Sequence, residues 1–174
     1  MTVRARAVVF AYHDVGAACL RVLARHAIDV PLVVTHRDDP GETLWFARVA
    51  DVAAGLGIAT AMPDDPNAPA FVARVAALAP DFIFSFYYRR MLAPALLATA
   101  RRGALNRHGS LLPRDRGRAP VNCAVLHGET ETGATLHYMA ATPDAGDVVA
   151  QRAVPIGPAD SAREVFDRVT AAAA

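Results

Sequence analysis

The stretch Ala5-Arg6-Ala7-Val8-Val9-Phe10-Ala11-Tyr12-His13-Asp14-Val15-Gly16 decides the reading of the fold. Ala5 to Tyr12 is a short, nearly continuous apolar run rich in Val and Phe, the pattern of a buried strand. His13 to Gly16 reads as the turn after it. Ala17 to His26 then carries helical spacing at Leu20, Leu23 and Ala24, and Val30 to Thr35 reads as a second strand. Outward from this opening the alternation continues. Thr43 to Leu56 is an expected helix stopped by Gly55 and Gly57, Ile58 to Ala61 a short strand and Pro69 to Leu78 a helix. Asp81 to Phe86 is an apolar strand, Met91 to Ala100 a helix and Ala104 to His108 a strand. Pro120 to His127 is a helix, and Thr132 to Met139 and Val148 to Val154 are two more strands. Ser161-Ala162-Arg163-Glu164 is a capping box opening a last helix. Strands alternating with helices indicate an α/β domain with a largely parallel sheet.

Length and composition set outer bounds. The 174 residues are enough for one domain with a sizeable core. Hydrophobic residues make up 53%, which excludes a disordered chain. The net charge of +1 gives no electrostatic case for nucleic-acid binding. All basic residues are Arg, a feature read as compositional bias. Cys19 and Cys123 have no metal or redox spacing and are expected as free thiols. The N-terminal apolar stretch is too short for a signal-peptide core, and no run approaches a membrane span. A cytoplasmic enzyme is the expectation.

The chemistry concentrates in Leu105-Asn106-Arg107-His108-Gly109-Ser110-Leu111-Leu112-Pro113. If this run ends a strand, Asn106 and His108 project from one face. An amide can donate to a developing oxyanion, and an imidazole can move a proton near neutral pH. Taken alone, a strand-end His reads more readily as a satisfied structural residue. The acidic turn Thr142-Pro143-Asp144-Ala145-Gly146-Asp147 can add a carboxylate to the same place.

Together these segments resemble the Asn, His and Asp constellation of the folate-dependent formyltransferases. Val9 to Asp14, Phe84 to Arg89, Gly117-Arg118-Ala119-Pro120 and Gly128 to Gly133 extend the resemblance from about Val8 to the end of the chain. The Phe84 and Gly128 runs point to the sugar-nucleotide branch, which formylates UDP-4-amino-4-deoxy-L-arabinose on the way to lipid A modification and cationic-peptide resistance. The resemblance implies a three-layer Rossmann-like sheet, 10-formyltetrahydrofolate as cosubstrate and no metal. It implies catalytic roles for Asn106 (oxyanion donor), His108 (general acid or base) and Asp144 (holding the His charge state or taking the amine proton). Arg90, Met91 and Leu92 match one wall of the folate site. Ala140, Ala141, Thr142, Pro143 and Asp144 match the other, and Arg118 matches a folate-site arginine. Asp147 is the rival carboxylate, read as a loop residue.

The resemblance also frames the remaining expectations. Relatives usually continue into a C-terminal domain, so residues 1–174 are expected to be an N-terminal catalytic domain, truncated. A UDP-amino sugar is the expected acceptor, with no nucleic acid, no membrane insertion and a fused or separate dehydrogenase/decarboxylase partner possible. Methionyl-tRNA formylation is the enzymatic alternative. The Thr35 to Glu42 loop is acid-balanced where tRNA would want basic charge. A non-catalytic folate or sugar-nucleotide binder is the other. Tyr87 and Tyr88 are expected to line the pocket or pack beneath it, and His13 and Asp14 to border it. The first turn lacks G-x-G-x-x-G, against nicotinamide binding, and Ser110 is not in G-x-S-x-G. His26, His36, His127 and His137 read as structural or surface residues, and Trp45 as a helical core or interface residue. Arg107 stands where relatives have Leu or Ile, and must reach an edge or pair with an acid.

Overall fold

The computed structural model describes residues 4–41 and 43–174; Glu42 of the acid-balanced loop lies outside them. The chain divides into two compact units, Met1–Ala104 and Leu105–Ala174.

The first unit holds β1 (Arg6–Ala11), α1 (His13–Arg25), β2 (Asp29–Val34), α2 (Val49–Gly55), β3 (Thr60–Ala61), α3 (Pro69–Ala77), β4 (Phe82–Phe86) and α4 (Pro94–Leu97). Its strands lie in the order β3-β2-β1-β4, and all the pairings are parallel. Every residue of β1 after Arg6 is buried, as a strand covered on both faces requires. The right-handed crossover rule places α3 on the opposite face from α1 and α2. The class is α/β and Rossmann-like, as expected.

The second unit contains most of β5 (Gly103–His108), then α5 (Pro120–Leu126), β6 (Glu131–Tyr138), β7 (Val148–Pro155) and α6 (Ala162–Ala173). β5 pairs with β6 and β6 with β7, both antiparallel. The expected parallel character therefore belongs to the first unit. Gly133 on β6 is a contact point: a Cβ there would lie 2.3 Å from the Arg152 carbonyl oxygen and 2.6 Å from Leu111 Cδ2. α6 opens with the expected capping box, Ser161 accepting from Glu164 N–H while Glu164 accepts from Ser161 N–H.

Several boundaries differ from the sequence expectation. α1 starts four residues earlier than spacing suggests, because Gly16 N–H already bonds Tyr12 O at 3.1 Å. The helix expected from Thr43 is confined to Val49–Gly55. Ala47 N–H is taken by Asp14 Oδ1 at 2.8 Å, which holds the preceding segment irregular. Trp45 is therefore on a loop, not a helix. The helix expected over Met91 to Ala100 shrinks to Pro94–Leu97. Asn67 bonds Met91 O and Ala93 N–H, so the approach to Pro94 is pinned in a non-helical form.

Candidate active site

Alternation along β5 puts Asn106 and His108 on one face of the strand. Register supplies their neighbours, since Asn106 lies opposite His137 and His108 opposite Thr135 on β6. The loop after β6 returns Asp144 to the same place. Asp144 has a φ of 52°, a left-handed conformation that Asp tolerates better than most side chains.

One carboxylate oxygen is the centre of the cluster. Asp144 Oδ1 lies 3.4 Å from Asn106 Nδ2, 3.6 Å from His108 Nδ1 and 3.5 Å from His137 Nε2. Asp144 Oδ2 accepts from Gly117 N–H at 3.0 Å. Burial raises the Asp144 pKa, but the hydrogen-bond donors and positive charge around it, the Gly117 N–H among them, outweigh it and hold the carboxyl below its usual range. The group is an anion at neutral pH.

Both imidazoles are oriented by main-chain carbonyls. His108 Nε2 meets Asp115 O at 2.8 Å. A carbonyl accepts only, so Nε2 carries the hydrogen and Nδ1, facing Asp144, is the nitrogen that gains or loses a proton. His137 Nδ1 meets Tyr138 O at 2.8 Å, so Nδ1 is protonated there. Neutral His137 then accepts at Nε2 from Asn106 Nδ2, 3.2 Å away. His137 donates to Asp144 only when doubly protonated, and Asn106 then loses its acceptor. The sequence gives His137 a structural or surface role; instead it is buried inside the cluster. Its signal in the sequence is the Thr135-Leu136-His137 alternation, which means nothing until β6 is paired in register with β5.

The loop has little freedom. Tyr138 N–H donates to Asp147 O at 2.9 Å, so Asp147 closes the loop base through its backbone. A Cβ on Gly146 would fall 1.9 Å from Tyr138 O, the carbonyl that orients His137. Only glycine permits that approach.

Arg107 points from the other face of β5. It is half-buried and donates through Nη2 to Ala173 O in the last turn of α6. No ion pair joins it to an acid among the described residues. A cation is favourable at the carbonyl end of a helix.

The remaining candidates are placed as follows. Arg118 is exposed and adjoins Gly117, which bonds Asp144. Ala140 to Pro143 are exposed along the loop. Arg90, Met91 and Leu92 belong to the first unit. Arg90 and Met91 are exposed, Leu92 is buried, and Asn67 holds the segment by both ends of its amide. Burial pushes the Tyr87 phenol up to about 12, so it packs rather than titrates. No group of three or more His, Cys, Asp or Glu among the described residues is arranged to hold a metal ion. No helix among them is long and apolar enough to cross a membrane.

An ionised carboxylate, an orientable imidazole and an amide donor within 4 Å of one oxygen suit acyl transfer to an amine. The family comparison agrees. The family model described as formyl transferase matches residues 6–174, and the chain belongs to that family. It is a folate-dependent formyltransferase. Among solved structures it is similar to glycinamide ribonucleotide transformylase 1 from Geobacillus kaustophilus. Identity is 28%, covering 98% of this chain and 93% of that one, with a TM-score of 0.82. It is similar to phosphoribosylglycinamide formyltransferase from Brucella melitensis at 28% identity, covering 98% and 90%, with a TM-score of 0.79. It also shares the fold of the N-formyltransferase from Helicobacter canadensis solved with folinic acid and dTDP-3-aminofucose. There identity is 19%, coverage 98% and 60%, and the TM-score 0.75.

Proposed function

We propose that the chain transfers formyl from 10-formyltetrahydrofolate to the amine of a UDP-linked amino sugar, UDP-4-amino-4-deoxy-L-arabinose being the specific candidate. The observation that carries the chemistry is Asp144 Oδ1 standing within 4 Å of Asn106, His108 and His137. The neutral amine attacks the formyl carbon. Asn106 swings one N–H from Asp144 to the developing oxyanion, a donation worth about 3 kcal/mol in a preorganised site. Asp144, ionised, accepts the proton released by the attacking nitrogen. His108, protonated at Nδ1, gives that proton to the leaving nitrogen as the formyl carbon–nitrogen bond breaks and takes back the one held by Asp144, with its Nε2–H anchored on Asp115 O. Arg90, Met91, Leu92, Arg118 and the loop from Ala140 to Asp144 are the proposed contacts for the folate.

The acceptor assignment rests on the Val9 to Asp14, Phe84 to Arg89 and Gly128 to Gly133 motifs. They resemble the formyltransferase domain of the bifunctional polymyxin-resistance protein, whose product leads to lipid A modification. Glycinamide ribonucleotide is the second reading, favoured by the two structures at 28% identity.

The test is formyl transfer by the purified chain with 10-formyltetrahydrofolate, offering each acceptor separately and reading products by mass spectrometry. A formylated sugar nucleotide, lost in His108→Ala, is the expected result. Formylation of glycinamide ribonucleotide alone would replace the acceptor while leaving the chemistry intact. Unimpaired turnover by His108→Ala would overturn the mechanism.

A further inference from the structure

The register of β5, β6 and β7 lines up three polar side chains in one row. His108 lies opposite Thr135, and Thr135 lies opposite Gln151. Residues paired directly across antiparallel strands share a face. The row therefore runs from the reactive cluster to β7, all within the second unit.

At its far end the row grips the connection between β5 and α5. Thr135 Oγ1 donates to Ser110 O at 2.6 Å and accepts from Leu112 N–H at 3.2 Å. Gln151 Nε2 donates to Leu112 O at 2.7 Å and to Thr135 Oγ1 at 3.0 Å. A hydroxyl offers one hydrogen and two lone pairs, and an amide nitrogen offers two hydrogens. Both groups are used in full. Ser110, fully buried, extends the grip by donating to Arg114 O at 2.6 Å. The exposed pair of Arg114 with Glu131, at 3.4 Å, adds little.

The residues that follow Arg114 reach the cluster, Asp115 O at His108 Nε2 and Gly117 N–H at Asp144 Oδ2. Two acceptors compete for the hydrogen of a neutral His108. Asp115 O stands 2.8 Å from Nε2, whereas Asp144 Oδ1 stands 3.6 Å from Nδ1, beyond hydrogen-bond reach. The carbonyl wins on distance, and Nδ1 stays bare. If Asp115 O drifted away, the anion would draw the hydrogen to Nδ1. That nitrogen could then take no proton from Asp144.

We propose that Gln151 is a positioning residue for formyl transfer. By holding Leu112 O it fixes the connection whose Asp115 carbonyl keeps the His108 hydrogen on Nε2. It acts through that connection and not on the reacting atoms. This rests on the reading of His108 as the proton carrier.

Long-range proton–nitrogen NMR spectra in alkaline buffer read which ring nitrogen of a neutral histidine bears the hydrogen. The signal absent from His108→Ala identifies this ring. The spectra are compared for the native protein, Gln151→Met, which keeps the length but has no N–H, and Gln151→Glu, which puts an acceptor where donors stood. The native ring should carry its hydrogen on Nε2, and both variants should shift it toward Nδ1. Turnover is measured with 10-formyltetrahydrofolate, offering UDP-4-amino-4-deoxy-L-arabinose and glycinamide ribonucleotide separately. In both variants kcat should fall about tenfold with KM values little changed. A purely structural role would lower the thermal midpoint and leave the ring as it is in the native protein. An unchanged tautomer in both variants would overturn the proposal, whatever happens to stability. A shifted tautomer with native turnover would overturn the part of Gln151 in the reaction. Unimpaired turnover by His108→Ala would instead overturn the reading of His108 on which the proposal rests.

Discussion

His137 controls where Asn106 points. A neutral imidazole whose Nδ1–H is spent on Tyr138 O offers its Nε2 lone pair to one N–H of the amide. The other N–H faces Asp144 and is the one available to an oxyanion. His137→Leu keeps the apolar packing of a buried site and removes that acceptor. Misplacing a catalytic donor by about 1 Å costs roughly 100-fold in turnover. We therefore expect kcat to fall about 100-fold with both KM values little changed. Steady-state kinetics against each substrate decides it, and a rise in KM alone would assign His137 to binding. Asp144 owes its charge to the same surroundings. Burial of the carboxyl is offset by neighbouring donors, so the cluster holds an anion at neutral pH.

At the level of elements, the loop between β6 and β7 is what aims Asp144. Gly146→Ala forces a Cβ onto Tyr138 O, displacing either the loop or the carbonyl that orients His137. Turnover should drop by roughly 100-fold, with a thermal midpoint lowered by only a few degrees, about 1–3 kcal/mol of overpacking. Wild-type turnover in this variant would show that the loop gives way without cost. Arg107 acts oppositely. Arg107→Leu removes the guanidinium from the carbonyl end of α6 but lies on the far face of β5 from Asn106. Stability should fall by about 1 kcal/mol in urea unfolding while kcat is unchanged. Much of this level was legible in the sequence. β1, β4, β5 and α6 carry unambiguous apolar runs or caps, and Asn106, His108 and Asp144 stand in recognisable motifs. What was not legible depends on pairs distant in sequence. The Asp14 bond to Ala47 truncates α2, the Asn67 amide suppresses a helix at Met91, and the Ala173 carbonyl receives Arg107. His137 was hidden for the same reason, since an isolated strand histidine gains its meaning from the residue across the ladder.

For the folded chain as a whole, acid sensitivity has an identifiable source in the first unit. Burial, then the charges of Arg90 and Arg89, lower the His36 pKa from 6.5 to about 4. Its Nε2 accepts from Arg89 N–H at 3.0 Å, an arrangement that requires the neutral ring. Between these two values the unfolded chain binds a proton that the folded chain does not. The stabilisation from neutral His36 is therefore complete above pH 6.5 and is lost progressively as the pH falls toward 4. His36→Phe keeps a ring against Tyr88 and cannot titrate. Its urea midpoint should change less than that of the native protein between pH 7 and pH 4.5, although it starts lower. Equal pH slopes for the two proteins would remove His36 as the cause.

The pairing of Asn106 with His137 and of His108 with Thr135 has a consequence for how this enzyme can change over time. The clustered side chains of both strands sit at positions of matching parity. Slipping β6 by one residue against β5 would turn His137 away and bring Leu136 or Tyr138 to the amide. Insertions in the connection between the strands leave that parity untouched, whereas one residue added or removed inside either strand exchanges chemistry for grease. Outside the ladder, length is still constrained where the connection meets the site, since Asp115 O orients His108 and Gly117 N–H bonds Asp144. A library of single-codon insertions across residues 103–138 should lose turnover within either strand and around Asp115 to Gly117, and keep it at the exposed turn Gly128-Glu129-Thr130.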